Sequence, residues 1–290
     1  MPRLLRSPRT PWPRHIDQSQ VTPRADVTDV VLTFIGHSTF LIQTPVGNLI
    51  TDPVYVDRAG PWSLFGPRRV RRPAIAFDDL PRIDVVLLSH NHYDHCDRRT
   101  LRALARRFDP VAIAPLGHAR LLEKAGFTRI NELDWWQETA AIPSIVVTAT
   151  PAHHFSARTP FDRNRALWSG FMIRAAGLRI YFAGDTAYVP IFREIRARLG
   201  LPDLSLLPIG AYEPRWFMRA VHMNPAEAVQ AHLELESRES IAMHFGTFQL
   251  TTEGIDEPLI ALERARQTQK LPEASFRALD FGGSVQRATG

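Results

Sequence analysis

Four side chains of the types that bind transition metals fall within one six-residue segment, His90-Asn91-His92-Tyr93-Asp94-His95. An irregular loop can direct His90 and His92 to one point. The following turn then directs Asp94 and His95 to a neighbouring point, so a single loop can serve two ions. Neutral imidazole and carboxylate suit zinc, and also iron or manganese. The spacing therefore predicts a site for two Zn²⁺ ions, with iron or manganese as alternatives.

The apolar pattern around this segment predicts how it is positioned. Residues 84–89 form a continuous apolar run that ends at His90, and we expect a strand buried on both faces. A helix should follow over residues 98–108, and then a strand at 111–114 and a helix at 119–125. Residues 30–52 alternate apolar runs with Gly and Pro, which is typical of a β-meander. Residues 1–27 are rich in Pro and Arg and lack an apolar period, so we expect an irregular arm.

The second half of the chain repeats the alternation of strands and helices. We expect strands at 144–150, 167–174, 178–183, 204–209 and 240–244, and helices at 190–199, from Pro225 onward and at 257–266. Two sheet-rich halves with flanking helices predict a single α/β domain over residues 28–290, in a layered α/β/β/α arrangement. Candidate chemical residues recur at the C-terminal ends of the strands, where an α/β sheet presents its ligands.

The composition is that of an ordinary globular protein, with 44% hydrophobic and 22% charged residues. No apolar run is long enough to cross a membrane, and the N-terminus lacks the apolar segment of a secretory signal, so we expect a cytoplasmic protein. The single cysteine, Cys96, excludes an intrachain disulfide. The net charge of +5 is compatible with phosphate-bearing partners. Because we find no RNA-binding module or Lys-rich patch, we expect no nucleic-acid partner.

The His-x-His-x-Asp-His loop resembles that of the metallo-β-lactamase superfamily, whose fold is a four-layer αββα sandwich. That superfamily takes three further ligands from later strand ends, and the resemblance implies His154, Asp185 and His244 in these places. His154 keeps the Thr-Pro-x-x-His spacing from Thr150, and the adjacent His153 is the alternative.

The resemblance also implies how the ligands divide between the two ions. One ion would be bound by His90, His92 and His154. The other would be bound by Asp94, His95 and His244. Asp185 would bridge the two ions, since its segment, Phe182-Ala183-Gly184-Asp185-Thr186, resembles the one that supplies the shared carboxylate in that superfamily.

Further segments resemble the N-acyl-phosphatidylethanolamine-hydrolysing phospholipase D family. They are Gly36-His37-Ser38, residues 66–73, residues 89–95, residues 132–136, residues 208–218 and His244-Phe245-Gly246-Thr247-Phe248. The likeness runs from about residue 30 to 280, and the segment 209–218 is its most specific part. It implies hydrolysis of a phospholipid or small phosphodiester, with N-acylethanolamine and phosphatidic acid as the phospholipid's products. It also allows peripheral contact with a membrane and a homodimer.

Three residues are candidates for catalysis: Asp94, Asp185 and His222. A pair of ions would lower the pKa of a shared water for attack on phosphorus and stabilise charge on the phosphate oxygens. Asp94 and Asp185 would hold and orient the ions. His222 resembles a family histidine near the phosphate, as a proton donor or phosphate contact. The alternative for His222 is a structural residue at the start of the helix that follows Pro225.

Several other residues allow both a functional and a structural interpretation. We favour a structural hydrogen bond for His37, and we expect Asp134 to support a ligand histidine. The basic run Arg68-Arg69-Val70-Arg71-Arg72 could contact anionic head groups or form a solvated loop. Aromatic side chains that could line an acyl-chain groove, or else belong to the core, are Trp62, Phe65, Trp216 and Phe217.

Three other functions compete with the phospholipid hydrolase. The first is a related hydrolase of a small lactone or phosphate ester. The second is a nuclease, which the sequence pI of about 9.8 allows. The third is a metal-binding regulatory protein without activity, which the complete set of ligands argues against.

Overall fold

A computed structural model describes residues 9–289, which contain fourteen strands in two seven-stranded sheets. In chain order the strands are β1 (Val30–Gly36), β2 (Thr39–Thr44), β3 (Gly47–Thr51), β4 (Val85–Leu87), β5 (Val111–Pro115), β6 (Ile130–Leu133), β7 (Glu138–Ile142), β8 (Ile145–Thr150), β9 (Gly170–Ala175), β10 (Leu178–Phe182), β11 (Leu204–Pro208), β12 (Glu239–Met243), β13 (Phe276–Arg277) and β14 (Ser284–Arg287). The helices are α1 (Arg98–Phe108), α2 (Ala119–Ala125), α3 (Phe192–Leu199), α4 (Arg215–Met218), α5 (Pro225–Leu235) and α6 (Glu257–Thr268).

The two sheets have closely related topologies. The first has the order β14-β1-β2-β3-β4-β5-β6, and the second has the order β13-β12-β11-β10-β9-β8-β7. In the first sheet β14, β1, β2 and β3 are antiparallel, and β3 through β6 are parallel. In the second, β7 through β10 are antiparallel, and β10 through β13 are parallel. The C-terminal ends of neighbouring parallel strands meet at one edge of each sheet.

The apolar side chains of the sheets alternate between two cores, as the period of a strand requires. Leu32 and Phe34 of β1 join a cluster that also contains Ile173 of β9, so this cluster lies between the sheets. Ile35 joins a second cluster that includes Leu101 and therefore lies under α1. On the second sheet, α3, α5 and α6 contribute buried side chains to the larger cluster. The α/β class and the four-layer αββα sandwich are thus confirmed.

Helix ends follow local signals in the sequence. Asp97 caps α1, because its carboxylate accepts hydrogen bonds from the backbone N–H groups of Arg99 and Thr100. Asn224 and Glu227 form a capping box around Pro225 at the start of α5. The longest helix in the described part of the chain is α6, with 12 residues. Among residues 9–289, no helix has the length and apolar character needed to span a membrane.

The predicted elements agree well with the structure where the apolar pattern is strong. The helix expected over residues 98–108 has those bounds, whereas the strand expected over 84–89 is limited to Val85–Leu87. Five elements were not predicted from the sequence: β6, β7, β13, β14 and the short helix α4. Strands β6 and β7 each end a sheet and carry several exposed or half-buried side chains, so they lack a clear alternating pattern.

The irregular arm was expected over residues 1–27, of which residues 1–8 lie outside the described part. Residues 9–27 contain no helix or strand, in agreement with that expectation. The arm is nevertheless bound to the rest of the chain by backbone hydrogen bonds. The N–H groups of Thr10, Ile16 and Val21 donate to the carbonyls of Thr252, Val70 and Ala74. The boundary at residue 28 stays a prediction.

Candidate metal centre

The predicted ligands lie just beyond strand ends of both sheets. His90 follows β4, and the loop continues to His95 before α1 begins. His154 follows β8, Asp185 follows β10, and His244 follows β12. The structure therefore brings together residues that are more than 150 positions apart in the sequence, such as His90 and His244. All seven predicted metal-binding side chains belong to buried or half-buried residues.

One group of ligands is formed by three histidine rings. Nδ1 of His92 lies 2.9 Å from Nε2 of His90 and 3.1 Å from Nε2 of His154. Burial lowers the pKa of His92 to about 4 and that of His154 to about 3, and it holds the pKa of His90 well below its ordinary value. The three imidazoles are therefore neutral at pH 7, which is the form that binds metals.

A second group consists of Asp94, His95 and His244, with His37 beside them. Oδ2 of Asp94 lies 3.5 Å from Nε2 of His95 and 3.4 Å from Nε2 of His244. Burial alone would lower the pKa of His244, but the Asp185 carboxylate, helped by Asp94, raises it to about 9. Burial is likewise outweighed at His95, whose pKa is raised well above its ordinary value by the same two carboxylates.

Asp185 lies between the two groups. Its Oδ2 is 3.1 Å from Nε2 of both His95 and His244, and it is 3.9 Å from Nε2 of His90 and 3.8 Å from that of His154. Burial would raise the pKa of Asp185, but His244 and His95 hold it well below the ordinary value, so the carboxylate is ionised. An ionised carboxylate in this position can bridge two cations.

The donor atoms fit a pair of metal ions. Nε2 of His95, Nε2 of His244 and Oδ1 of Asp185 are buried and make no hydrogen bond, although buried polar atoms usually have a partner. The three nitrogens of His90, His92 and His154 also face one another, and a cation between them would satisfy all three. Imidazole and carboxylate together are ligands for zinc, iron or manganese. That these residues bind metal stays a prediction.

A second layer of contacts orients the ligands. Nδ1 of His95 is 2.7 Å from Oδ2 of Asp52, and the same carboxylate accepts hydrogen bonds from the N–H and hydroxyl of Ser89. Nδ1 of His154 is 2.8 Å from the carbonyl oxygen of Val221. His37 lies with Nε2 3.0 Å from Oδ2 of Asp94, the structural contact expected for it. Asp52 was not predicted from the sequence as a supporting residue. The only indication of this role was the position of its carboxylate directly after β3.

His154 and not His153 joins the cluster. His153 is exposed, and its backbone N–H donates to the hydroxyl of Thr186. His222 also belongs to the site, with Nε2 3.9 Å from Oδ2 of Asp185 and within ligand distance of His154. The backbone N–H of His222 is bound to the carbonyl of Met218, so the end of α4 fixes its position.

Three of the seven predicted ligands, His92, Asp94 and Asp185, form the floor of a cavity of about 720 Å³ together with His222. Its remaining walls are mostly apolar, and they also contain three charged side chains. The apolar residues include Phe155, Phe217, Met218, Val221 and Leu250, and the charged residues are Arg9, Arg163 and Glu213. The cavity thus combines an acidic and imidazole floor with apolar walls.

The expectation for Asp134 is wrong, and the residues of the basic run and the aromatic candidates divide between their two interpretations. Asp134 is exposed and bonds only to neighbouring backbone and Gln137, so Asp52 has the role expected of it. Arg69 is buried, because its guanidinium donates to the carbonyls of Val54 and Val56, and so the basic run is not a uniform head-group surface. Of the four aromatic candidates, Phe217 lines the cavity, whereas Trp62, Phe65 and Trp216 lie outside it.

Comparisons with known proteins agree with this architecture. Residues 48–245 match the beta-lactamase superfamily domain. N-acyl-phosphatidylethanolamine-hydrolyzing phospholipase D 1 of Caenorhabditis elegans is 36% identical over 262 residues, which cover 86% of this chain and 74% of that protein. A UPF0173 metal-dependent hydrolase of Rubrobacter xylanophilus is 30% identical over 75% of this chain and 82% of its own length.

Among solved structures, Igni18, a metallo hydrolase from the archaeon Ignicoccus hospitalis, superposes with a TM-score of 0.66 at 22% identity. The match covers 91% of this chain and all of that one. At this identity, the structural match supports the fold alone. The two sequence matches cover most of this chain and of each relative. The superfamily-domain match spans residues 48–245, which include the strands and loops that carry the clustered side chains. The chain belongs to the metallo-β-lactamase superfamily and, within it, to the sequence family of the N-acyl-phosphatidylethanolamine-hydrolysing phospholipases D.

Proposed function

We propose that this chain is a dinuclear-metal phosphodiesterase that hydrolyses N-acylated phosphatidylethanolamine to N-acylethanolamine and phosphatidic acid. Its coarser class is a metal-dependent hydrolase of the metallo-β-lactamase superfamily. The observation that carries the proposal is the position of Asp185, whose carboxylate lies between two separate groups of ligand nitrogens. Such a shared carboxylate can hold two ions close enough together to act on one phosphate group.

The cavity supports an amphiphilic phosphodiester as the substrate. Its floor would bind the phosphate through the metal ions, whereas Phe217, Met218 and Leu250 offer apolar contact to an acyl chain. Arg163 also lines the cavity and brings a positive charge, which suits an anionic diester. A volume of about 720 Å³ holds the head group and the first part of a chain but not a whole phospholipid, so the remainder would extend outside.

When bound, two ions would supply Lewis acidity and lower the pKa of the attacking water. The chain's own residues would position the phosphate. Burial lowers the pKa of His222 to about 3, so its ring is neutral at pH 7 and has one N–H to donate. Because Nδ1 of His222 has no partner, the ring is free to bond a phosphate or leaving-group oxygen. Water adds its oxygen to phosphorus and gives up a proton, the bond from phosphorus to the ethanolamine oxygen breaks, and that oxygen takes up a proton as N-acylethanolamine departs.

A second candidate is hydrolysis of a small soluble lactone or phosphate ester. It is favoured by the 30% identity to the UPF0173 metal-dependent hydrolase, a relative whose name specifies no lipid. The same ligand groups would serve either reaction. The two candidates differ in what the apolar wall around Phe217 contributes, because a soluble substrate would gain little from it.

Product analysis tests the proposal directly. The metal-loaded protein should release N-acylethanolamine from N-acyl-phosphatidylethanolamine in detergent micelles, as measured by mass spectrometry. Asp185→Asn should reduce the rate by at least about 1000-fold, since a bridging carboxylate is lost. Asp134→Asn is the matched control and should retain full activity, because Asp134 is exposed and its hydrogen bonds do not involve the predicted ligands.

Each alternative has its own signature in the same assay. Cleavage of a soluble ester or lactone without release of N-acylethanolamine would replace the lipid proposal by the second candidate. Cleavage of RNA that depends on Asp185 would instead indicate a nuclease. A protein that binds two ions but cleaves none of these substrates would be regulatory, which would contradict the proposed activity.

A further inference from the structure

A second cavity, of about 670 Å³, also borders the metal-binding loop. Neighbouring residues of the loop divide between the two cavities: His92 and Asp94 line the first, and Tyr93 and Cys96 line the second. The second cavity contains no predicted ligand. Its lining is strongly basic, with five arginines, which are Arg58, Arg98, Arg99, Arg102 and Arg158.

The positive charge of this cavity is not neutralised within the protein. Arg98, Arg99 and Arg102 are exposed, and no carboxylate among residues 9–289 forms an ion pair with them. The single acidic residue in the lining, Asp97, caps α1, so its oxygens are already bound to backbone N–H groups and to Thr100. The start of α1 therefore presents a group of free guanidinium ions, and the helix dipole adds to their positive potential.

An apolar protrusion stands at the edge of the same cavity. Trp62, Leu64 and Phe65 are 75%, 64% and 60% exposed, although large apolar side chains are normally covered. The loop is closed at its base, where Arg58 and Arg68 form an isolated antiparallel bridge. A side chain at Gly66 would lie 2.2 Å from the carbonyl oxygen of Ala59, so the two ends of the loop are held together tightly. The fold therefore holds the protrusion in this exposed position.

One segment of the chain borders both cavities. Phe155 and Arg163 line the metal-site cavity, whereas Arg158, Thr159 and Pro160 between them line the basic cavity together with Trp62. The next residue, Phe161, is 83% exposed. A surface that contacts Phe161 and the protrusion would therefore touch the segment whose two ends line the metal-site cavity.

We propose that the Arg98–Arg102 cluster, the Trp62–Phe65 protrusion and Phe161 form a docking site for a membrane that contains anionic phospholipids. The arginines contact head-group phosphates, and the apolar side chains enter the interface between head groups and acyl chains. This surface rests on the proposed phospholipid substrate, to which it supplies a direct route from the bilayer. The aliphatic Leu64 beside two aromatic rings favours a bilayer over a nucleic acid, whose bases would stack on aromatic rings only.

Vesicle binding without turnover tests this surface separately from the activity. The protein should cosediment with vesicles of phosphatidylcholine and phosphatidylglycerol, and much less with phosphatidylcholine alone. Arg98→Ser with Arg102→Ser should weaken binding about 25-fold, from roughly fivefold per arginine near an anionic surface. Trp62→Ser with Phe65→Ser should weaken it at least about tenfold. Asp185→Asn, which should abolish the proposed activity, should bind vesicles as the unmodified protein does.

Matched surface substitutions serve as controls. Arg106→Ser changes an exposed arginine of the same helix outside the cavity, and Ile260→Ser changes an exposed apolar residue on α6; neither should alter vesicle binding. Arg98→Glu with Arg102→Glu should restore binding to vesicles that contain a cationic lipid. Equal binding of the docking variants and the unmodified protein would overturn the proposal. The proposal would also be overturned if inorganic phosphate, at matched ionic strength, competed with the vesicles for the protein on equal terms. The cavity would then be a site for a soluble anion.

Discussion

Oδ2 of Asp52 lies 2.7 Å from Nδ1 of His95, and both side chains are fully buried. This contact fixes the ring so that Nε2 points towards Asp94 and Asp185. The carboxylate also accepts two hydrogen bonds from Ser89, the residue before His90. A single side chain after β3 therefore orients one ligand and anchors the strand end that carries another.

Replacing this carboxylate should weaken metal binding without removing a ligand. We expect Asp52→Asn to lower the affinity of the site by about 10- to 100-fold, because the amide leaves His95 less basic and less well oriented. Residual metal after dialysis against a graded series of chelator concentrations measures this effect. Asp57→Asn, at an exposed position, should retain metal normally. Equal retention in both variants would show that Asp52 serves folding alone.

Asp52 shows why part of the site could not be predicted from the sequence. The loop from His90 to His95 is a local pattern, and a local pattern is visible in one dimension. The role of Asp52 depends instead on the parallel pairing of β3 with β4, which brings the residues after Thr51 and Leu87 together. Asp134 was chosen as the supporting carboxylate, and it is exposed at the end of β6, a strand that was itself missed.

The fold class was predictable for a related reason. Strands with continuous apolar runs, such as β5 and β11, and capped amphipathic helices, such as α1, give strong local signals. The edge strands β7 and β14 carry exposed side chains and gain their stability from one neighbouring strand only. Their existence follows from the assembled sheet and not from their own sequence.

Binding of metal to the metal-free protein should release protons from the site at pH 7. The pKa of His244 is about 9 and that of His95 is raised well above 6.5, so both rings carry a proton that a cation must displace. His90, His92 and His154 are already neutral, because burial lowers each pKa. We expect release of at least about two protons, and affinity that increases with pH up to about 9.

A pH indicator in weakly buffered solution measures this release during metal titration. His244→Gln should release about one proton fewer than the unmodified protein at saturating metal, because one protonated ring is gone. His154→Gln removes a ligand that carries no extra proton, so the number of protons should not change. The same decrease in both variants would contradict the assigned protonation states.

The only cysteine of the chain should be unreactive in the folded protein. Cys96 is fully buried in the apolar cluster under α1, and burial raises the pKa of its thiol to about 11. At pH 8 only roughly one thiol in a thousand is then ionised. Although Cys96 borders the basic cavity, its side chain has no exposed surface for a disulfide reagent to contact. We expect labelling only after denaturation. Rapid labelling after removal of metal alone would indicate that Cys96 is a ligand, in contrast to its apolar environment.

Gly184 should be irreplaceable because it precedes the shared carboxylate at a point of close contact. Its φ is +60°, and an added Cβ would lie 2.9 Å from both Cβ of Ser89 and the carbonyl oxygen of Ser169. We expect Gly184→Ala to lower the free energy of unfolding by about 2–4 kcal/mol, from overpacking and left-handed strain together. Because Ser89 and Asp185 would both be displaced, metal retention should fall as well.

Gly126 provides the matched control for this substitution. Its φ is +100°, and an added Cβ would meet only Cβ of Ala105, at 3.8 Å. Gly126→Ala should therefore cost about 1–2 kcal/mol, from backbone strain alone, and leave metal retention unchanged. Urea denaturation and metal analysis of both variants separate the two effects. The two variants could instead lose the same stability and both keep normal metal content. That result would show that the protein accommodates a Cβ at residue 184 next to Ser89 without extra cost, and that the position of Asp185 does not depend on this contact.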